Sequence, residues 1–444
     1  MRSRLSVPPL LMGPTIELLR CERRARRFFL AYAQSAIGNG AGYVALVALA
    51  YDRWRSPWAI TLVLMADFIP AMVLGPVFGA LADRWSRRRI AVAADLLRAI
   101  AFIGVGLVGG IWATIGFALL AGLGAGLFTP ATLAALPSLV DERRVSAATS
   151  LYGGLTDGGR VLGPAIAALA LPFASSGTIA IANGATFVLS AAVLMSLRFG
   201  AAPDRDEAVA ASGVLMEARE GVAAVWRMPG VRTLVVASSS VLLFGAMVNV
   251  AELLLARSLG AGPVGYAVLV AAYGGGFLAG SLSGAGDVPV PELKRRYLLG
   301  IMLIGAGLLV AAIPSFVVAA LGLGLAGLGN GVTLVNERII CQRVVPDSML
   351  ARAFAVFDTA GSWAFAIAFV GSGALLAAAG TRPVLLIAGL GSLAVWVASK
   401  AALRRVWNRD VGEPEPVQPE PEPQLELEPE LPQHVMPATV AGRA

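Results

Sequence analysis

Residues 75–89 read Gly75-Pro-Val-Phe-Gly79-Ala-Leu-Ala-Asp83-Arg84-Trp-Ser-Arg87-Arg88-Arg89. An apolar run from about Pro57 leads into this stretch, and another begins at Ile90. A short charged turn thus divides two hydrophobic segments. Each is long enough to cross a bilayer, whose hydrocarbon core of ~30 Å takes about 20 helical residues. Four arginines in one short loop mark the cytoplasmic side of a membrane. Gly75 and Gly79 stand one helical turn apart just ahead of the charges, a spacing that lets another helix approach the backbone. A positive-inside hairpin with no further role is the plainer reading. It leaves unexplained why Gly-x-x-x-Gly, an Asp-Arg pair and an Arg triplet coincide here.

Composition points the same way. The 444 residues are 57% hydrophobic and only 14% charged, with a mean hydropathy of +0.75. A soluble chain of this length could not bury so much apolar surface, so an all-α integral membrane protein is expected. The 51 glycines suit close helix packing in lipid, where association depends on contact and not on water expulsion. The net charge of +7 resides in separate short loops, which fits topology and argues against nucleic-acid binding. The single histidine, His434, the distant cysteines Cys21 and Cys341, and the two lysines, Lys294 and Lys400, form no metal-ligand cluster, nucleophile pair or phosphate loop. An enzyme is therefore not expected, nor a cofactor, nor ATP hydrolysis through a P-loop.

Twelve apolar segments can be counted, at about 28–50, 58–80, 90–110, 113–138, 146–171, 176–197, 233–256, 264–284, 296–313, 315–340, 353–378 and 382–403. Segments 9 and 10 share one apolar run split near Pro314. Arginines gather on one side, at the N-terminal arm, Arg84–Arg89, Arg143 and Arg144, Arg295 and Arg296, and Arg404 and Arg405. The opposite ends carry only Arg53, Arg55, Arg257 and Arg382, so both termini are expected in the cytoplasm, with the chain multi-pass in the cell membrane.

Gly75 and Gly79 recur 205 residues on as Gly280 and Gly284, and Gly122, Gly124 and Gly126 recur at the same offset as Gly327, Gly329 and Gly331. Two clusters at one offset predict two six-helix bundles related by an axis along the membrane normal. The layout is then a basic arm over 1–27, a first bundle over 28–197, a linker over 198–232 with a short amphipathic helix, a second bundle over 233–405, and a tail over 406–444. The Pro/Glu-rich tail predicts disorder.

Polar groups at membrane depth are costly and invite functional readings. Asp67 lies about a third of the way into segment 2. Asp157 and Arg160 are one turn apart in segment 5, and either neutralise each other or serve the transport pathway. Glu252 is in segment 7, three residues after Asn249, and Asp358 is in segment 11. Asn39 and Asn330 are flanked by glycines near mid-membrane, where helix–helix hydrogen bonding is the simpler role.

Gly79 to Arg89 resembles the signature of the major facilitator superfamily loop between helices 2 and 3. Carried on through Asp95-Leu-Leu-Arg98, it is similar to the bacterial drug and siderophore exporter branch, including macrolide-efflux and enterobactin-exporter-like proteins. A glycine is usual where this chain has Ser86. Gly159-Arg-Val-Leu-Gly163-Pro164 resembles the C-terminal part of the antiporter signature on helix 5. Two glycines that should follow are Ala167 and Ala168, and the upstream glycine position is Ser150. The arginine that often precedes Gly-x-Gly in helix 4 is missing from Ala118-Leu-Leu-Ala-Gly122-Leu-Gly124, and Arg160 is a candidate substitute.

The resemblance implies a twelve-helix monomer that works by alternating access. It implies efflux of a small amphipathic molecule in exchange for protons, with Asp67, Asp157 with Arg160, and Glu252 as coupling candidates in that order. It also implies that Gly75, Gly79, Asp83, Arg84, Arg87 and Arg88 form a conformational motif. In it Asp83 would brace the start of helix 11 near Arg352. An uptake symporter, a permease subunit driven by an ATPase partner and a non-transporting scaffold are the alternatives.

Overall fold

The computed structural model describes residues 12–75, 77–78, 81, 85–197, 199, 226–284 and 288–407. Among them the secondary structure is helical throughout, with no strand. A short lead-in, α1 (Met12–Cys21), precedes α2 (Arg23–Trp54), α3 (Pro57–Val73), α4 (Arg87–Leu107), α5 (Ile111–Ala135), α6 (Val145–Ala170) and α7 (Ser176–Ser196). After the linker come α8 (Pro229–Ser258), α9 (Gly262–Ser281), α10 (Val290–Ala311), α11 (Phe316–Val344), α12 (Asp347–Ala379) and α13 (Thr381–Ala402).

Local chemistry sets several of these boundaries. The Ser56 hydroxyl accepts the Trp58 N–H at 3.3 Å ahead of Pro57, and the Ser175 hydroxyl accepts that of Thr178 at 3.1 Å, so each serine caps the helix that follows it. Gly380, at φ 80°, makes the turn from α12 into α13, where a side chain would be strained.

Eight of the helices are long and apolar enough to cross a membrane, and α3 is apolar but shorter. Of the rest, α2 carries Gln34 and Asn39 in mid-helix, α6 carries Asp157 and Arg160, and α10 opens on Glu292, Lys294, Arg295 and Arg296. The chain is a membrane protein built from several spanning helices.

The helices pack in two groups. In the first, α4 lies against α5 and α7, α2 against α6 and α7, and α3 against α5. In the second, α11 lies against α9 and α10, and α13 against α8, α10 and α12. The groups meet mainly along two seams, α3 with α12 and α6 with α9. One end of the molecule is basic, holding the N-terminal ends of α2, α4, α8 and α10. There the Lys294 ammonium donates to the carbonyls of Leu403 (3.3 Å) and Val406 (2.7 Å), capping the last turn of α13 with a cation. The far end holds the α2–α3 turn and the C-terminal end of α8.

The glycine repeat has a packing cause. A Cβ on Gly122 would lie 2.1 Å from the Asp67 carbonyl on α3, and one on Gly327 would lie 1.9 Å from the Tyr273 carbonyl on α9. Gly124 and Gly329 bring α4 and α10 equally close, at 2.9 Å from the Ala94 carbonyl and 2.5 Å from the Gly300 carbonyl. Each glycine thus does the same work in its own group.

Gly75 breaks this pattern and corrects one expectation. A Cβ there would meet no described atom within 4 Å, whereas one on Gly280 would sit 2.1 Å from the Leu328 carbonyl. α3 ends at Val73, with Pro70 removing a backbone donor from its last turn, and after a break at Leu74 the chain is helical again at Gly75, Val77, Phe78 and Leu81, within the apolar segment expected to reach residue 80. Gly75 is therefore helical, but a side chain there would touch no described atom. The split near Pro314 is found, with α10 ending at Ala311 and α11 starting at Phe316. The amphipathic helix expected in the linker falls mostly on residues 200–225, and the tail on 408–444, both outside the described residues.

Candidate functional site between the helix groups

The far end of the seam is sealed by side chains from both groups. Arg257, closing α8, donates to the Asp52 carboxylate at the end of α2 at 2.5 Å, and its guanidinium lies over the Tyr51 ring at 4.8 Å. Arg55 reaches the same carboxylate at 3.6 Å. Deeper in, the buried Thr61 hydroxyl donates to the Phe369 carbonyl at 3.3 Å across the α3–α12 seam. Gly373 leaves room for Thr61, and Phe68 packs against Phe365 and Phe369 with ring centroids 6.1 and 5.9 Å away.

Below this seal lies a cluster of tyrosines around one carboxylate. Glu252 on α8 is 4% exposed, and no cation pairs with it among the described residues. Tyr43 of α2 and Tyr266 and Tyr273 of α9 lie within its electrostatic reach. Tyr43 and Tyr266 lie within electrostatic reach of each other, the buried Tyr266 hydroxyl makes no hydrogen bond among the described residues, and Tyr273 stands near Asn330 of α11. Asp67, on the other side of the seam, is half-buried and has Arg98 of α4 in electrostatic reach. The two carboxylates the sequence singled out at this depth thus differ: one has a cation nearby, the other has tyrosines only. Asn249 donates to the Ala246 carbonyl of its own helix at 3.2 Å, and Asn39 is exposed.

Toward the basic end the facing surfaces are charged and open. Asp157 and Arg160 pair at 3.6 Å, with their side chains 35% and 68% exposed. Arg338 of α11 is in electrostatic reach of both Asp157 and Asp358 of α12. One cluster therefore draws charges from α6 on one side and from α11 and α12 on the other. Behind it, the Ser238 hydroxyl donates to the buried Glu337 carboxylate and lies 2.9 Å from the Tyr297 hydroxyl.

The helix 5 motif works within its own group. A Cβ on Gly159 would lie 2.5 Å from the Ala36 carbonyl and one on Gly163 2.6 Å from the Gly40 Cα, so both seat α6 on α2, with Pro164 beside Gly40. In the turn, Arg87 donates to the Ala134 carbonyl at 2.8 Å and Arg88 to that of Leu197 at 3.4 Å, tying the start of α4 to α5 and to the end of α7. Gly79, Asp83 and Arg84 lie outside the described residues.

Residues 28–288 match the family model described as Major Facilitator Superfamily. The chain belongs to the Major Facilitator Superfamily. An uncharacterized transporter of this type, YfiS of Bacillus subtilis (strain 168), is 25% identical over 84% of this chain and 91% of its own length. The multidrug efflux pump Tap of Mycolicibacterium fortuitum is 31% identical over 45% of this chain and 51% of the pump. The nucleoside transporter NupG has a similar structure, with a TM-score of 0.69 at 13% identity over 86% of this chain and 99% of that one, which speaks to the fold alone. This superfamily is one of transporters, not enzymes.

Some polar residues inside this superfamily fold were not singled out as site candidates from the sequence. Asp95 and Arg98 form a buried ion pair on α4, and the guanidinium lies between the rings of Phe128 (4.1 Å) and Phe187 (4.2 Å). The space left by Gly124 receives the Arg98 stem. Their i, i+3 spacing within an apolar run was the available signal, the same one that marked Asp157 and Arg160. Glu337 and Arg338 lie inside the tenth apolar segment, 315–340, near its basic end, and were not singled out there. The tyrosines carry no motif, because only the fold brings Tyr43 to Glu252.

Proposed function

We propose that this chain is a twelve-helix secondary transporter that exports small amphipathic compounds in exchange for protons. The basic end is read as cytoplasmic, with both termini there. The first bundle spans residues 28–197 and the second 233–405, joined by the 198–232 linker and flanked by the 1–27 arm and the 406–444 tail. The chain works as a monomer. The ion pair and hydrogen bond named between the groups, Asp52–Arg257 and Thr61–Phe369, lie at the far end while the Asp157 and Arg160 side chains at the basic end are open, which supports an inward-open form. Rocking of one bundle against the other would break the Asp52–Arg257 contact and close the Asp157–Arg338–Asp358 cluster. The likeness to a multidrug efflux pump supports export.

One observation carries the coupling: Glu252 is enclosed at the centre of the seam with tyrosines around it and, among the described residues, no cation paired with it. A carboxyl placed so inside a membrane is functional by default, and gaining or losing a proton there changes how the two bundles fit. This reorders the candidates: Glu252 comes first, Asp67 second because it is less enclosed and has Arg98, itself paired with Asp95, within electrostatic reach, and the exposed Asp157–Arg160 pair third. Neutral Asn39, Asn249 and Asn330 serve substrate contact or helix packing.

The reading is tested in vesicles loaded with a fluorescent amphiphile under an imposed pH gradient. Glu252→Gln is expected to abolish gradient-driven movement while leaving exchange of labelled for unlabelled substrate. Full gradient-driven transport in Glu252→Gln would remove Glu252, and the absence of any gradient effect on the wild-type protein would remove proton coupling.

A further inference from the structure

A groove of about 280 Å³ runs between α8 and α13. Its walls are mostly small residues, Ala237 and Ser240 on α8 and Ala398 and Ala402 on α13, with Val236 and Val395 adding apolar surface. From Arg232 to Ser240 it spans about 12 Å along α8 at 1.5 Å per residue. Arg232 is exposed and lines one end of the groove, at the basic end of the molecule. The charge there does not stop at Arg232. Arg227, Lys400, Arg404 and Arg405 are exposed at the same end, because α8 starts where α13 stops and the Trp407 ring closes on Gly230. Trp226 is 47% exposed at the same level. An amphipathic ring at that level suits the boundary between headgroups and acyl chains.

A groove between spanning helices that is lined mainly by small and apolar residues, with the hydroxyl residues Thr233, Ser240 and Ser399 among them, and is cationic at its mouth has the shape and charge of one lipid. The geometry points to a site for an anionic phospholipid, with its acyl chain between α8 and α13 and its phosphate on Arg232. Basic pockets between spanning helices on the cytoplasmic side hold such headgroups. A zwitterionic lipid would fill the groove equally well but gains less from the cluster of cations. The site borders α8, the helix that carries both Glu252 and Arg257, so occupancy acts on an element whose movement transport requires.

The test uses the purified full chain in detergent, incubated with phosphatidylglycerol or with phosphatidylcholine and weighed by native mass spectrometry. The wild-type protein is expected to retain phosphatidylglycerol in preference. Arg232→Gln should lower that retention about five-fold, which corresponds to the ~1 kcal/mol of one basic side chain near a charged membrane surface. Ala398→Phe, which fills the groove, should lower retention of both lipids. Arg24→Gln, at the basic end of the other helix group, should leave retention unchanged. Equal retention of the two lipids, an unaltered Arg232→Gln, or an equal loss in Arg24→Gln would each overturn the proposal. So would retention that appears only when Glu413, Glu415, Glu420 and Glu422 are changed to Gln, since the acidic tail would then be the occupant.

Discussion

At the residue scale, the same polar residue types do opposite jobs depending on what faces them. Asp95 and Arg98 are buried together and bracketed by phenylalanines, an arrangement that holds helices in place. Glu252 is equally enclosed but faces tyrosines from two other helices, one of them in the other group. Sequence shows a basic residue one turn from Asp95 and none from Glu252, but not the tyrosines around Glu252, because those neighbours lie on other helices, far away in the chain. Glycines are the reverse case. Gly122 and Gly327 were visible as a repeat, and their purpose follows from the atoms they face. Gly327→Val is expected to destabilise the protein by about 1–3 kcal/mol, the usual cost of overpacking, because its new side chain would press on the Tyr273 carbonyl. A thermal unfolding curve in detergent would show it as a lowered midpoint, while Gly75→Val, which meets no described atom, should leave the midpoint unmoved.

At the scale of elements, the ends of α2 and α8 hold the far side shut. The Asp52–Arg257 pair is partly exposed, so alone it contributes only on the order of 1 kcal/mol, enough to shift a two-state balance about five-fold. Arg257→Ala is therefore expected to raise the outward-open population by about that factor, read from the labelling rate of a cysteine placed at Thr61. The charge swap Asp52→Arg with Arg257→Asp should bring the rate back toward that of the wild type. Arg55 already reaches Asp52 and is placed to take over its charge when Arg257 leaves. The helices themselves were legible from apolar length and loop arginines, including the split near Pro314. The break at Leu74 was not, because the apolar run continues across it and the chain is helical again from Gly75.

At the scale of the whole molecule, the family and the two-group packing were legible from one loop and one offset, since Gly79 to Arg89 and the glycine repeat are local patterns. The seam was not, because its contacts join residues from opposite groups. The conformational role read for Asp83 belongs here too. Asp83→Asn is expected to slow turnover several-fold while leaving substrate affinity nearly intact, measured as a lowered maximal rate at an unchanged half-saturating concentration. A raised half-saturating concentration at normal rate would instead place Asp83 in a binding site. The contact at the far end carries one more implication. Asp52 and Arg257 are 205 residues apart, the offset of the glycine repeat, so they are the same position in the two groups and touch where the symmetry axis passes. In a pair of identical half-length chains that position would bring Asp against Asp or Arg against Arg, which repel. Opposite charges can meet there only because the two halves differ in sequence at this position. The attraction that closes this side is thus a product of their divergence, and exact internal symmetry would abolish it.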